Sequence, residues 1–144
     1  MTKPPLMAAL ADVQLARVEN HAFPEAVLSV FEDGQNLPFA LTRVFTVHAH
    51  QPVQRGHHAH RQCGQVLICL AGACTVTVDD GKERKSMTLT DPAEAVYVPP
   101  SIWGEQEYLE PGTILLVLCD RIYEEDDYIR DYEDFLSYRG NATE

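Results

Sequence analysis

Five of the six histidines lie between His48 and His60, and the densest run is Arg55-Gly56-His57-His58-Ala59-His60-Arg61. In an extended segment side chains alternate between faces, so His58 and His60 point one way and His57 and Ala59 the other. The apolar run at residues 66–71 follows closely, which places the pair in the mouth of a barrel. Two imidazoles on one wall suit two chemistries. They can begin a metal site, because imidazole is a common ligand of divalent ions. They can also move protons, because a neutral imidazole titrates near working pH. His48, His50 and His57 are read as surface or hydrogen-bonded histidines.

The other reactive side chains are fewer. Cys63, Cys69, Cys74 and Cys119 form no Cys-x-x-Cys pair, and three of them sit in apolar strand-like runs. They read as buried, reduced thiols, with Cys63 in a polar turn as the one alternative nucleophile. The formal net charge of −11 excludes a general nucleic-acid footprint. An anionic ligand therefore needs a local cluster of Arg to reverse the field.

These residues must be positioned by short β-rich runs. Candidate strands fall at residues 26–31, 41–47, 66–71, 74–78, 87–89, 95–98 and 113–119, and the turns carry Asp33-Gly34, Gly72, Asp79-Asp80-Gly81, Asp91-Pro92 and Pro99-Pro100. Many short strands with frequent turns imply an antiparallel sandwich or barrel. The continuous apolar run at 66–71 predicts a strand buried on both faces. Tyr128, Ile129, Tyr132, Phe135 and Leu136 fall on one helical face. The acidic run 124–127 then precedes or opens that helix, where its dipole favours negative charge, and forms a solvated face. The chain length predicts one domain across residues 1–144. Residues 1–10 read as a loose segment without the apolar stretch of a signal peptide. No apolar run is long enough to cross a membrane as a helix, and a cytoplasmic protein is expected.

Gly56, His58-x-His60 and Val98-Pro99-Pro100 resemble the two sequence blocks of cupins. Metal-binding cupins carry a Glu four or five residues after His-x-His and a final His after the second block's Pro. Here those positions read Gly64-Gln65 and Ser101-Ile102-Trp103-Gly104, short of the three protein ligands that a catalytic metal normally has. The order of the histidine block, Gln65 to Gly72, Asp79-Asp80-Gly81, Trp103 and Asp127-Tyr128-Ile129-Arg130-Asp131-Tyr132 resembles, over about residues 38–138, the sugar 3,4-ketoisomerase family related to WxcM-like C-terminal domains.

The resemblance implies an all-β cupin jelly roll with a short C-terminal helix. It also implies a homodimer, often with exchanged N-terminal strands. The implied reaction moves the keto group of a dTDP-linked 4-keto-6-deoxyhexose from C4 to C3 through an enediol, with no metal and no cofactor. An aminotransferase would act on the product. His58 and His60 match the family's proton shuttles, and which of them is the base stays open. Gly104 stands where some members have a further His, so that residue's role does not carry over. The diphosphate would be met by Arg55 and Arg61, and by Arg43. Trp103 would pack on sugar or base, or else lie in the core. Tyr97 and Gln106 are further substrate candidates, and Gln65 would orient a histidine. The rival readings are a metal-dependent cupin oxygenase, a non-catalytic sugar-binding cupin and a nucleotide-sugar 3,5-epimerase.

Overall fold

The computed structural model describes residues 7–143, with side chains through residue 140. A 3-10 turn at Leu10–Asp12 leads into β1 (Gln14–Arg17), β2 (Asn20–Ala22), β3 (Val27–Ser29) and β4 (Arg43–Ala49). Then come β5 (Val53–His60), β6 (Gln65–Ala71), β7 (Cys74–Asp79) and β8 (Arg84–Leu89). They are followed by β9 (Glu94–Val98), β10 (Trp103–Tyr108) and β11 (Thr113–Cys119). A second 3-10 turn at Glu125–Asp127, the short strand β12 (Tyr128–Ile129) and helix α1 (Tyr132–Thr143) follow.

The strands form two five-stranded antiparallel sheets, ordered β1-β9-β6-β11-β4 and β12-β5-β10-β7-β8, with β2 and β3 paired separately. Alternation builds the core between them. Cys74, Val76 and Val78 of β7 are fully buried. Thr75 and Thr77 point outward and bond the hydroxyls of Thr88 and Ser86 at 2.9 and 2.7 Å. Leu67, Cys69, Leu115 and Val117 meet them from the opposite sheet. This is the cupin jelly roll that the sequence predicts.

Strand β6 is buried on both faces through Cys69, because Phe31, Leu37, Phe39 and Leu41 cover Val66 and Ile68 from outside. The expected run of burial stops there, and Leu70 and Ala71 are exposed. Gly72, with φ +77°, turns the chain into β7. A Cβ there would lie 2.4 Å from Thr113 Oγ1, so only glycine fits.

Two expectations are corrected. Residues 1–6 lie outside the described residues, but the loose start does not extend to residue 10. The Ala8 N–H donates to Ser101 Oγ at 2.8 Å, and Arg139 donates to the Ala8 carbonyl at 2.6 Å. The helix also begins later than its periodicity suggests. Tyr128 and Ile129 are a strand on the edge of β5, opposite His60 and Ala59. Asp131 then caps α1 by accepting the Asp134 N–H at 3.0 Å. Phe135 and Leu136 join Ala59, Trp103 and Ile129 in a second core on the outer face of that sheet.

Candidate active site

Strand β5 carries the histidine block, and it is not regular. Gly104 of β10 pairs with His58, while the next residue, Glu105, pairs with Gly56. His57 is the extra residue of a β-bulge, and Gly56 and His57 have φ of +87° and +56°. One extra residue reverses the alternation. Arg55, opposite Gln106, and His58, opposite Gly104, therefore share the inner face. His57 is turned outward, half-exposed, with Nδ1 3.6 Å from Glu105.

That inner face lines a cavity of about 500 Å³ between the sheets, a common size for a small-ligand site. Its cations are Arg43, Arg55 and Arg130, and no Asp or Glu is among its lining residues. The chain thus reverses its own acidity locally. Arg130 lies 4.2 Å from the Tyr128 ring centroid and donates to both carboxylate oxygens of Glu125 at 3.0 Å. Arg43 lies over Phe45 and Tyr123. Neither Arg43 nor Arg55 has an ion-pair partner among the described residues.

His58 stands on the cavity wall. Burial first, then electrostatic coupling to its neighbour His60 and to the Arg130 guanidinium, push it down to about 4 from its usual 6.5. Its ring is therefore neutral at pH 7. The His60 ring sits behind it, 5.0 Å away and nearly perpendicular, with Tyr128 packed against both at 5.1 and 4.4 Å. His60 Nδ1 lies 2.9 Å from Asp127 Oδ2.

Asp127 is the residue that sequence reasoning missed. The expected solvated acidic face is a 3-10 turn whose last side chain is buried. Burial pushes the Asp127 carboxyl up. Hydrogen bonds from His60 and from the Gln62 and Cys63 N–H groups outweigh it and hold the carboxyl below its ordinary value. Arg130, Tyr128 and Tyr123 also line the cavity without having been expected there. The periodicity of 128–136 concealed Tyr128 and Arg130, and no local motif marks Tyr123 beside the acidic run or Asp127 within it.

Not every candidate reaches the cavity. Arg61 lies outside it, donating to the Asp126 and Tyr128 carbonyls at 2.9 and 3.0 Å and so stapling the turn that carries Asp127. Trp103 is buried on the helix side against Tyr132 and Phe135, with its indole N–H donated to Glu105 at 2.9 Å. Tyr97 packs on Phe39 on the outer face of the other sheet. Gln65 and Gln106 do line the cavity, but Gln65 donates its amide to Cys119 Sγ at 3.5 Å rather than to a histidine. His48 on β4 and His50 just after it are exposed.

Donor atoms of His60, Cys63 and Asp127 lie within 4.8 Å of one another and form the one cluster of metal-ligating type among the described residues. The bond shared with Cys119, then burial, pushes the Cys63 thiol up. The group is thus a protonated thiol beside an imidazole–carboxylate hydrogen bond. The same protonation disfavours Cys63 as a nucleophile.

The family described as FdtA: WxcM-like, C-terminal, matches residues 11–140. A TDP-4-oxo-6-deoxy-alpha-D-glucose-3,4-oxoisomerase from Aneurinibacillus thermoaerophilus is 40% identical over 114 residues, 77% of this chain and 81% of that protein. Among solved structures, QdtA, a sugar 3,4-ketoisomerase from Thermoanaerobacterium thermosaccharolyticum in complex with TDP, superposes with a TM-score of 0.87. The two are 31% identical, over 92% of this chain and 98% of that one. A 3,4-ketoisomerase from Helicobacter canadensis gives 0.86 at 31% identity, over 90% and 98%.

Proposed function

The chain belongs to the FdtA, WxcM-like C-terminal family, and on that premise we propose that it is a sugar 3,4-ketoisomerase acting on a TDP-linked 4-keto-6-deoxyhexose. The observation that carries the reading is the cavity itself, which sets a neutral imidazole among three arginines, Arg43 and Arg55 without ion-pair partners among the described residues and Arg130 paired with Glu125, and has no carboxylate among its lining residues. A diphosphate suits forked guanidinium donors, and a C–H next to a ketone suits a neutral base.

The C4 ketone acidifies the hydrogen on C3. His58, on the wall, takes that proton, and charge moves to the C4 oxygen. His60 takes the proton of the C3 hydroxyl and delivers it to the C4 oxygen. His58 then returns its proton to C4, and the C3 oxygen becomes the ketone. One carbon is oxidised as its neighbour is reduced, so the atoms and electrons balance within the sugar. A positioned acid–base group contributes roughly 10²–10⁴ in rate. Bound diphosphate adds negative charge to the cavity, which raises the basicity of His58 when substrate is present. The 3-keto product is the substrate an aminotransferase requires.

We also propose a homodimer built on the N-terminal strands. Leu15, Phe23, Val27 and Leu28 are each more than half exposed. The β2–β3 hairpin joins neither large sheet, and an isolated hairpin is marginal in water. Among the described residues no helix is long and apolar enough to cross a membrane.

The test is incubation with TDP-4-keto-6-deoxyglucose in deuterated water, followed by NMR. A 3-keto product is expected, with deuterium at C4 to the extent that the proton on His58 exchanges with solvent before it is returned. A product that keeps its C4 ketone, or a sugar that neither changes nor exchanges, overturns the reading.

A further inference from the structure

The two histidines are held differently, and the difference lies in residues outside the cavity. Asp127 is 8% exposed. Its Oδ1 accepts the Gln62 N–H at 2.7 Å. Its Oδ2 takes the His60 Nδ1–H at 2.9 Å and the Cys63 N–H at 3.3 Å. No Lys or Arg ion-pairs with it among the described residues, so its charge is directed at the imidazole. The turn beneath it is clamped by Arg61, whose backbone N–H also donates to the Asp127 carbonyl at 2.8 Å. The other end is clamped by Ser101, whose N–H donates to the His60 carbonyl at 2.7 Å. Ser101 holds φ +73° to do so, a conformation that a non-glycine residue adopts only when its surroundings enforce it. Across the ring, His60 Nε2 is buried and has no hydrogen-bond partner among the described residues.

An ionised carboxylate only accepts hydrogen bonds, so the proton of the His60–Asp127 bond sits on Nδ1. The tautomer of a neutral imidazole is set by such a bond, and here it leaves the lone pair on Nε2. Burying a polar atom without a partner costs about 1–3 kcal/mol. His60 is not among the residues that line the cavity; its ring packs edge-on against His58, 5.0 Å away, and a substrate hydroxyl held beside His58 is the partner that this lone pair is free to take.

Building on the ketoisomerase reading, we infer that Asp127 is a positioning residue that locks His60 as its Nδ1–H tautomer, so that Nε2 is the atom that carries the proton between the two sugar oxygens. When Nε2 takes the C3 hydroxyl proton, the ring becomes a cation facing a fixed carboxylate. When Nε2 releases that proton to the C4 oxygen, the starting tautomer is restored. Asp127 exchanges no proton with the sugar.

Two measurements decide this. In the full-length protein labelled with ¹⁵N-histidine, the neutral His60 ring is expected to show its proton on Nδ1. A proton on Nε2, or a mixture, overturns the inference whether or not the protein turns over substrate. In Asp127→Asn, kcat is expected to fall by roughly 10²–10⁴, with KM for the TDP-sugar unchanged and His60 redistributed towards the Nε2–H form. Unchanged kcat, or a loss confined to KM, overturns it. Should Asp127→Asn fail to fold, the wild-type spectrum still decides. A wild type without turnover but with the Nδ1–H signature removes the ketoisomerase reading and leaves the tautomer lock standing.

Discussion

Arg55 and His58 lie on the same face of β5 although they are three positions apart along the strand. In a regular strand that spacing puts them on opposite faces. The bulge at His57 is what brings the Arg55 guanidinium to the same cavity wall as the His58 imidazole, and it does so by holding a histidine at φ +56°.

That backbone can be tested directly. A left-handed conformation costs an L-residue about 1–2 kcal/mol, most for β-branched side chains, and costs glycine nothing comparable. His57→Gly should therefore hold or gain stability and keep activity. His57→Val should lose about 1–2 kcal/mol in urea unfolding. Equal midpoints for the two variants would show that the bulge is not maintained in solution.

The arginines divide by position. Arg55 lines the cavity and has no ion-pair partner there, whereas Arg61 is bonded to two carbonyls outside it. Hydrogen bonds to charged groups contribute about 1.5–3 kcal/mol. Arg55→Gln should weaken TDP binding in calorimetry by roughly 10- to 100-fold. Arg61→Gln should leave that affinity unchanged and lower kcat, because it loosens the turn that carries Asp127. The reverse order would place the diphosphate elsewhere.

His58 makes stability depend on pH. Its value is about 4 in the folded chain against 6.5 unfolded. Above 6.5 both states hold the neutral ring and nothing is lost. Between 6.5 and 4 the unfolded chain binds the proton first, so stability falls as the pH drops. The loss reaches about 2.5 kcal/mol at pH 4.5, at about 1.4 kcal/mol for each pKa unit. Urea titrations at pH 7 and 4.5 should show that loss in the wild type and a smaller one in His58→Gln. Equal losses would mean that the ring is not buried as a neutral group.

The antiparallel two-sheet sandwich was legible because alternation and turn residues act locally, as β7 and the turn after it show, and the family resemblance narrowed it to a jelly roll. His58 on the cavity wall was legible for the same reason, whereas His60, expected on that same wall, packs behind it and is not among the lining residues. Asp127, Tyr128 and Arg130 were not legible. Their segment has helical spacing, but the free edge of β5 captures Tyr128 and Ile129 as a strand opposite His60 and Ala59. Pairing between residues almost 70 positions apart overrides a local period. Arg61 was misplaced for a simpler reason. Its backbone follows the histidines, but the strand has ended there and the side chain turns back to the Asp126 and Tyr128 carbonyls.

Trp103 separates a ligand platform from a structural core. Its ring centroid lies 5.2 Å from Tyr132 and 5.5 Å from Phe135, and its N–H reaches Glu105. That side of the sheet faces α1, away from the cavity. Trp103→Phe keeps an aromatic ring but shrinks the buried volume and leaves Glu105 without the indole donor. A loss of about 1–3 kcal/mol in unfolding free energy is expected from the lost volume and hydrogen bond, with KM for the TDP-sugar unchanged. Tyr132, whose hydroxyl donates to Asp79 at 2.7 Å, pins the same helix, so a Trp103→Phe/Tyr132→Phe double variant should lose more than either single one. A rise in KM with full stability would instead put the indole against the substrate and reverse the assignment of the sheet's two faces.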